Sequence, residues 1–146
     1  MSERCGQPVK VPDEATLWIV NDPVQIELAQ NQVIAAAENL GYAKAALFAI
    51  RLALHEAVSN AFRHGHARLP ASVPVQLSYR ATPERIDLAV EDQGPGFEPE
   101  SVPDPTLEEN LERGSGRGLL LIRAYMASAQ YSKHGTRLEM SFERAS

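Results

Sequence analysis

Two runs, "VPVQLSYRA" (73–81) and "ERIDLAVED" (84–92), alternate apolar and polar residues and are joined through "TPE". That period-two pattern with a short polar turn predicts a β-hairpin. Around it the chain changes period. "TLWIV" (16–20) predicts a first strand, and "NDP" (21–23) supplies an acid or amide cap followed by proline, both favoured where a helix begins. A helix is expected from Val24 to Leu40, with Gly41 as its stop, and a second from about Ala43 to about His64. In the second, Leu47, Ile50, Leu54, Val58 and Ala61 recur every three or four residues and form one buried face. A third helix is expected from near Gly118, and "AQYSKH" and "TRLEMSFER" close the chain as two strands meeting at Gly135. Strand, two helices, hairpin, loop, helix, hairpin is an α+β order. It predicts helices packed on one face of a mixed, mostly antiparallel sheet.

The 146 residues suffice for one full core, so residues 16–146 are read as a single domain behind a loose extension, 1–15. A net charge of −5 argues against broad nucleic-acid binding, which needs clustered Lys and Arg. Cys5 stands alone, so no internal disulfide is expected, and no apolar run is long enough for a membrane span or a signal peptide. The expected location is the cytoplasm.

Three constellations carry chemistry. In "LHEAVSNAFRHGH" (54–66), Glu56, Asn60 and His64 are spaced by four and share a helix face, with Ala49 and Ala53 extending the column. Small residues there would leave room for a bulky group over the helix. Glu56 suits a general base or a group orienting a nucleophile, and Asn60 offers a neutral oxygen to Mg²⁺. A polar helix edge would read the same way. His64 and His66 are weak evidence for a metal, and His64 is read as a cap on the helix end. In "EDQGPGF" (91–97), Asp92 ends a strand, and Gly94 and Gly96 allow a sharp turn or a close approach to a flat ligand. A carboxylate there can accept from an exocyclic amine such as adenine N6. A plain turn into a lid is the bland alternative. In "RGSGRGLLLIRAYM" (113–126), Gly114, Gly116 and Gly118 run into an apolar helix whose N-terminus could hold phosphates. The spacing is neither the dinucleotide fingerprint nor a Walker loop. Between the last two lies 98–113, acidic and proline-rich, read as a mobile lid or loop.

Together, in this order, the three resemble the GHKL ATPase superfamily and its Bergerat fold, a two-layer α/β sandwich. "HEAVSNA" resembles its N box, "EDQGPGF" and "GSGRGLLL" its two glycine boxes, and "GT" (135–136) its late Gly-Thr. The wording is most similar to the anti-sigma-factor serine/threonine kinases. That resemblance implies ATP and Mg²⁺ as cofactors, Glu56 as base toward a protein hydroxyl, Asn60 as metal ligand and Asp92 as adenine contact. It further implies that Gly94, Gly96, Gly114, Gly116 and Gly118 shape the pocket and lid, and that Thr136 supports Asp92 through water or its hydroxyl. Arg117 is read here as a phosphate contact, though an exposed loop arginine fits as well. Pro95 and the acidic lid depart from the commonest pattern, and the lid leaves the partner surface open.

The resemblance implies phosphorylation of a STAS-domain anti-anti-sigma protein, with a sigma factor as competing partner and transcription as the regulated output. A homodimer is expected through the sheet side near "TLWIV". The competing reading is a nucleotide-gated binding module without turnover. The catalytic half of a two-component histidine kinase ranks last, because fifteen N-terminal residues are too few for a phospho-accepting hairpin.

Overall fold

The structure, a computed structural model, describes residues 11–66, 69–94, 122 and 125–144. Gly96, the 98–113 stretch, and Gly114, Gly116, Arg117 and Gly118 lie outside the described residues, so those expectations keep their standing as sequence readings.

The chain opens with β1 (Glu14–Ile19), which starts two residues earlier than expected, inside the segment read as an extension. Helix α1 (Pro23–Asn39) follows. Its start is built as "NDP" suggests: the Asp22 carboxylate accepts the Gln25 N–H at 3.0 Å, and Pro23 takes the first helical position. Its end is built on Gly41, whose φ of 84° only glycine adopts without strain. The last carbonyls there do not face solvent alone. Arg144 donates to Leu40 O at 3.0 Å and Gly41 O at 2.7 Å while its guanidinium sits 4.4 Å over the Tyr42 ring. A cation at a helix C-terminus is favourable by roughly 0.3–1 kcal/mol.

Helix α2 (Lys44–Asn60) runs next, then β2 (Val75–Ala81), β3 (Arg85–Glu91), β4 (Ser128–Ser132) and β5 (Arg137–Glu143). The α2 helix was expected to reach His64. It stops being α-helical at Asn60 and continues as a π turn, Ala61–Gly65, closed by the His66 N–H donating to Ala61 O at 2.9 Å. Ile122 and Tyr125 are helical, within the span of the expected third helix.

The five strands form one sheet in the order β1-β2-β3-β5-β4. Every pair among the described residues is antiparallel, so the parallel component of the expected mixed sheet does not occur there. The connections explain this. The α1–α2 pair carries the chain out and back, so β2 begins opposite the end of β1, Val75 against Ile19. Likewise β5 begins opposite the end of β3, Arg137 against Glu91.

Alternation puts Leu77, Ile86, Leu88, Val90, Leu138 and Met140 on the inner face, against Val33, Ile50, Leu54 and Val58 of the helices. Each fully buried aliphatic side chain contributes roughly 1.5–3 kcal/mol, so this seam fixes both register and layer. The outer face is polar, and Trp18 on the outer strand β1 is 59% exposed. Among the described residues no helix is long and apolar enough to cross a membrane.

Candidate functional site

The core that packs α2 on the sheet also aims its polar residues. Glu56 and Asn60 occupy the last turn of α2, with Glu56 half-buried and Asn60 buried. Ala49 and Ala53 do not form the open stripe expected of them: both are buried, and Ala53 belongs to the hydrophobic core. The Asn60 side-chain oxygen accepts one long bond, 3.4 Å, from the Arg63 guanidinium. Its remaining lone pair and the negative end of α2 make a setting for a hard cation. One neutral oxygen beside a carboxylate fits Mg²⁺, which takes few protein ligands. No group of three His, Cys, Asp or Glu side chains among the described residues is placed to hold a metal.

The π turn then redirects the chain so that Gly65 lies under Asp92. A Cβ on Gly65 would collide with the Asp92 carboxylate, and one on Gly94 with the Gly65 carbonyl oxygen. The two glycines thus let the first glycine box settle directly on the end of α2. Gly65 was not among the expected site residues. Its φ is unexceptional, and only the long-range packing reveals it.

Three successive N–H groups hold the turn. Asp92 N–H donates to Thr136 O at 2.8 Å, Gln93 N–H to His66 Nε2 at 2.7 Å, and Gly94 N–H to Asp92 Oδ1 at 2.8 Å. Thr136 therefore meets Asp92 through its carbonyl. Its hydroxyl, the group expected to reach Asp92, donates to Lys133 O at 2.8 Å instead. Behind the turn, Glu91 is paired with Arg137 at 3.1 Å and Lys133 at 3.4 Å, tying β3 to β5. The His64 side chain, read as a cap, lies outside what the structure describes.

Burial pushes the Asp92 carboxyl above the usual aspartate range, against the Gly94 N–H bond, with Glu91 adding to the rise. A carboxyl whose proton is held more tightly when folded gives stability that is full below the unfolded range and lost as pH rises through the folded value. Ionised Asp92 therefore burdens the fold at neutral pH. We expect Asp92→Asn to melt at a higher temperature than wild type at pH 7, the gain vanishing near pH 3, and to bind ATP more weakly. Thermal melts at both pH values check this, and a lower melting temperature at pH 7 contradicts it.

A shallow hollow of about 730 Å³ on the outer sheet face is lined by residues such as Ser78, Arg80 and Glu139. None of Glu56, Asn60 or Asp92 lines it, so this hollow lies apart from them.

Residues 19–142 match the family described as the histidine kinase-like ATPase domain. The chain belongs to this family. Membership bears out the GHKL resemblance and the fold class, and it implies ATP binding at the family level. This ATPase-family domain is also 32% identical over 83 residues to a protein of Bordetella bronchiseptica named serine/threonine-protein kinase BtrW. The aligned stretch covers 56% of this chain and 55% of that protein. The chain thus spans about half the length of the curated relative it matches. The site chemistry agrees with ATP: a half-buried carboxylate with one oxygen committed to Gly94, and two glycines, Gly65 and Gly94, where the turn meets the π turn with no room for a Cβ.

Proposed function

We propose that this domain is a serine/threonine protein kinase of the anti-sigma-factor type, acting on a STAS-domain anti-anti-sigma protein. One observation carries the reading. The turn holding Asp92 rests on Gly65, five residues beyond Asn60, so adenine contact, metal ligand and base belong to one rigid unit.

Mg-ATP supplies the phosphoryl group and a cation that neutralises charge on it. Asp92 would accept from the adenine amine, one of its oxygens being already bonded to Gly94 N–H. Asn60 would hold the metal through its amide oxygen. Glu56, one turn earlier, accepts the proton as the partner's hydroxyl oxygen bonds to phosphorus and the bond to ADP breaks. Such transfer rests on positioning and electrostatics, so these few groups suffice. Phosphorylation of the STAS partner would free the kinase to hold a sigma factor, which is the proposed route to transcriptional control.

The test incubates the protein with γ-labelled ATP or GTP and the STAS-domain proteins of its own cell. Label is expected on a Ser or Thr of a STAS protein, from ATP in preference to GTP. Guanine presents a carbonyl where adenine presents the amine, so Asp92 would face an acceptor and lose its bond. ATP binding without transfer to any such protein would instead support a nucleotide-gated binding module. Equal use of ATP and GTP would remove Asp92 from the pocket.

A further inference from the structure

His66 is a buried histidine, 5% exposed, that the mechanism above does not use. Its surroundings restrict it to one chemical form. Nε2 accepts the Gln93 N–H at 2.7 Å, so that nitrogen carries no hydrogen. An imidazolium has hydrogens on both nitrogens and cannot accept, and the Nε2–H tautomer would press a hydrogen against the Gln93 amide. The ring is therefore neutral, with its proton on Nδ1. Nδ1 is itself buried and has no hydrogen-bond partner among the described residues.

The packing is specific. Phe62, on the π turn, meets the imidazole edge-on with centroids 5.6 Å apart and planes at 83°. The backbone is fixed on both sides of the ring: His66 N–H donates to Ala61 O at 2.9 Å, and His66 O accepts Leu69 N–H at 2.9 Å. The imidazole thus has little freedom except to point its bare nitrogen at Gln93.

Of the three backbone N–H tethers on the 92–94 turn, two run to a backbone carbonyl and to the Asp92 side chain itself. Among the described residues the third alone is accepted by a side chain from another element, while the Gln93 side chain separately donates to Pro74 O at 2.9 Å. We propose that His66, as the neutral Nδ1–H tautomer, is a positioning residue that latches the first glycine box onto the end of α2 and so presets Asp92 for its ligand. This rests on the nucleotide reading for the identity of that ligand, while the latch itself is a property of the free protein.

The experiment has a ligand-free arm and a ligand arm. In the free protein, long-range ¹H–¹⁵N spectra of the imidazole and exchange of the Gln93 amide are measured for wild type, His66→Phe and His66→Gln. His66 should show a bare Nε2, and Gln93 should exchange faster in His66→Phe, which fills the space without an acceptor. His66→Gln carries an amide oxygen to about the place of Nε2 and should restore protection. A protonated Nε2, or unchanged exchange in His66→Phe, overturns the latch. In the second arm, calorimetry with Mg-ATP should show His66→Phe weakened about 10–100-fold and His66→Gln recovering most of the loss. Equal affinity for wild type and His66→Phe overturns the positioning role and leaves the proposed kinase standing. No ATP binding by the wild type overturns the nucleotide reading, and the free-protein arm still decides the latch. If His66→Phe does not fold, His66→Asn replaces it, its oxygen falling short of Gln93; full rescue by His66→Asn also overturns the proposal.

Discussion

Glu56→Gln is expected to bind Mg-ATP as wild type does and to phosphorylate its partner about 10²–10⁴-fold more slowly. The substitution keeps the shape of the half-buried side chain at the end of α2 and removes only its basic oxygen. Ground-state contacts of the nucleotide do not depend on that oxygen, so the loss falls on the transfer step. Asn60→Ala should behave oppositely. The amide oxygen is the offered metal ligand, so binding of Mg-ATP itself weakens and the rate follows from low occupancy. Calorimetry and single-turnover transfer separate the two effects. A Glu56→Gln protein that transfers phosphate at the wild-type rate would falsify the assignment of Glu56 as base.

Gly94→Ala is expected to abolish ATP binding at concentrations that saturate the wild type. Its new methyl would lie 2.8 Å from the Gly65 carbonyl carbon and closer still to the oxygen. Both are backbone atoms, so no side chain can rotate away, and the turn must lift from the π turn. Lifting it moves Asp92 and breaks the bonds to His66 and Thr136. Overpacking of this kind costs about 1–3 kcal/mol, or about 2–12 °C in melting temperature for a chain of this size. Gly41→Ala is the control. It forces an alanine to a φ of 84° at the far end of α1, so it should destabilise the fold and leave ATP affinity intact. Wild-type affinity in Gly94→Ala would show that the turn does not need its seat on Gly65.

How much of this was readable in advance follows the range of the forces involved. The hairpin at 75–91 and helix α1 were legible because alternation, the Asp22 cap and Gly41 are local signals. The π turn was not, since an i to i+5 bond has no residue signature and "NAFRHG" reads as ordinary helix. The column of Glu56 and Asn60 was correctly placed on one helix, but Ala49 and Ala53 were given a role that burial assigns to packing. Thr136 was placed beside Asp92, and the contact the structure shows is through its carbonyl, which a sequence does not distinguish from a hydroxyl or a bridging water. His66 was noticed only as half of a weak metal pattern. Its partner is 27 residues away, and nothing in either segment alone announces the pairing.

The strand order β1-β2-β3-β5-β4 has a consequence for how the protein is made. Strand β4 leaves the ribosome before β5 but, among the described residues, pairs with β5 alone, and β3 meets no neighbour on that side until β5 arrives. Among the described strands the sheet is therefore closed by the latest of them in chain order, and long-range closure of this kind is slow relative to hairpin formation. Thr136, at the threshold of that strand, also supplies the carbonyl that holds the Asp92 N–H. A nascent chain without residues 136–143 has Glu56, Asn60, Gly65 and Gly94, but the turn that carries Asp92 lacks this anchor. On the proposed reading of Asp92, nucleotide occupancy arrives late and marks the closure of the sheet.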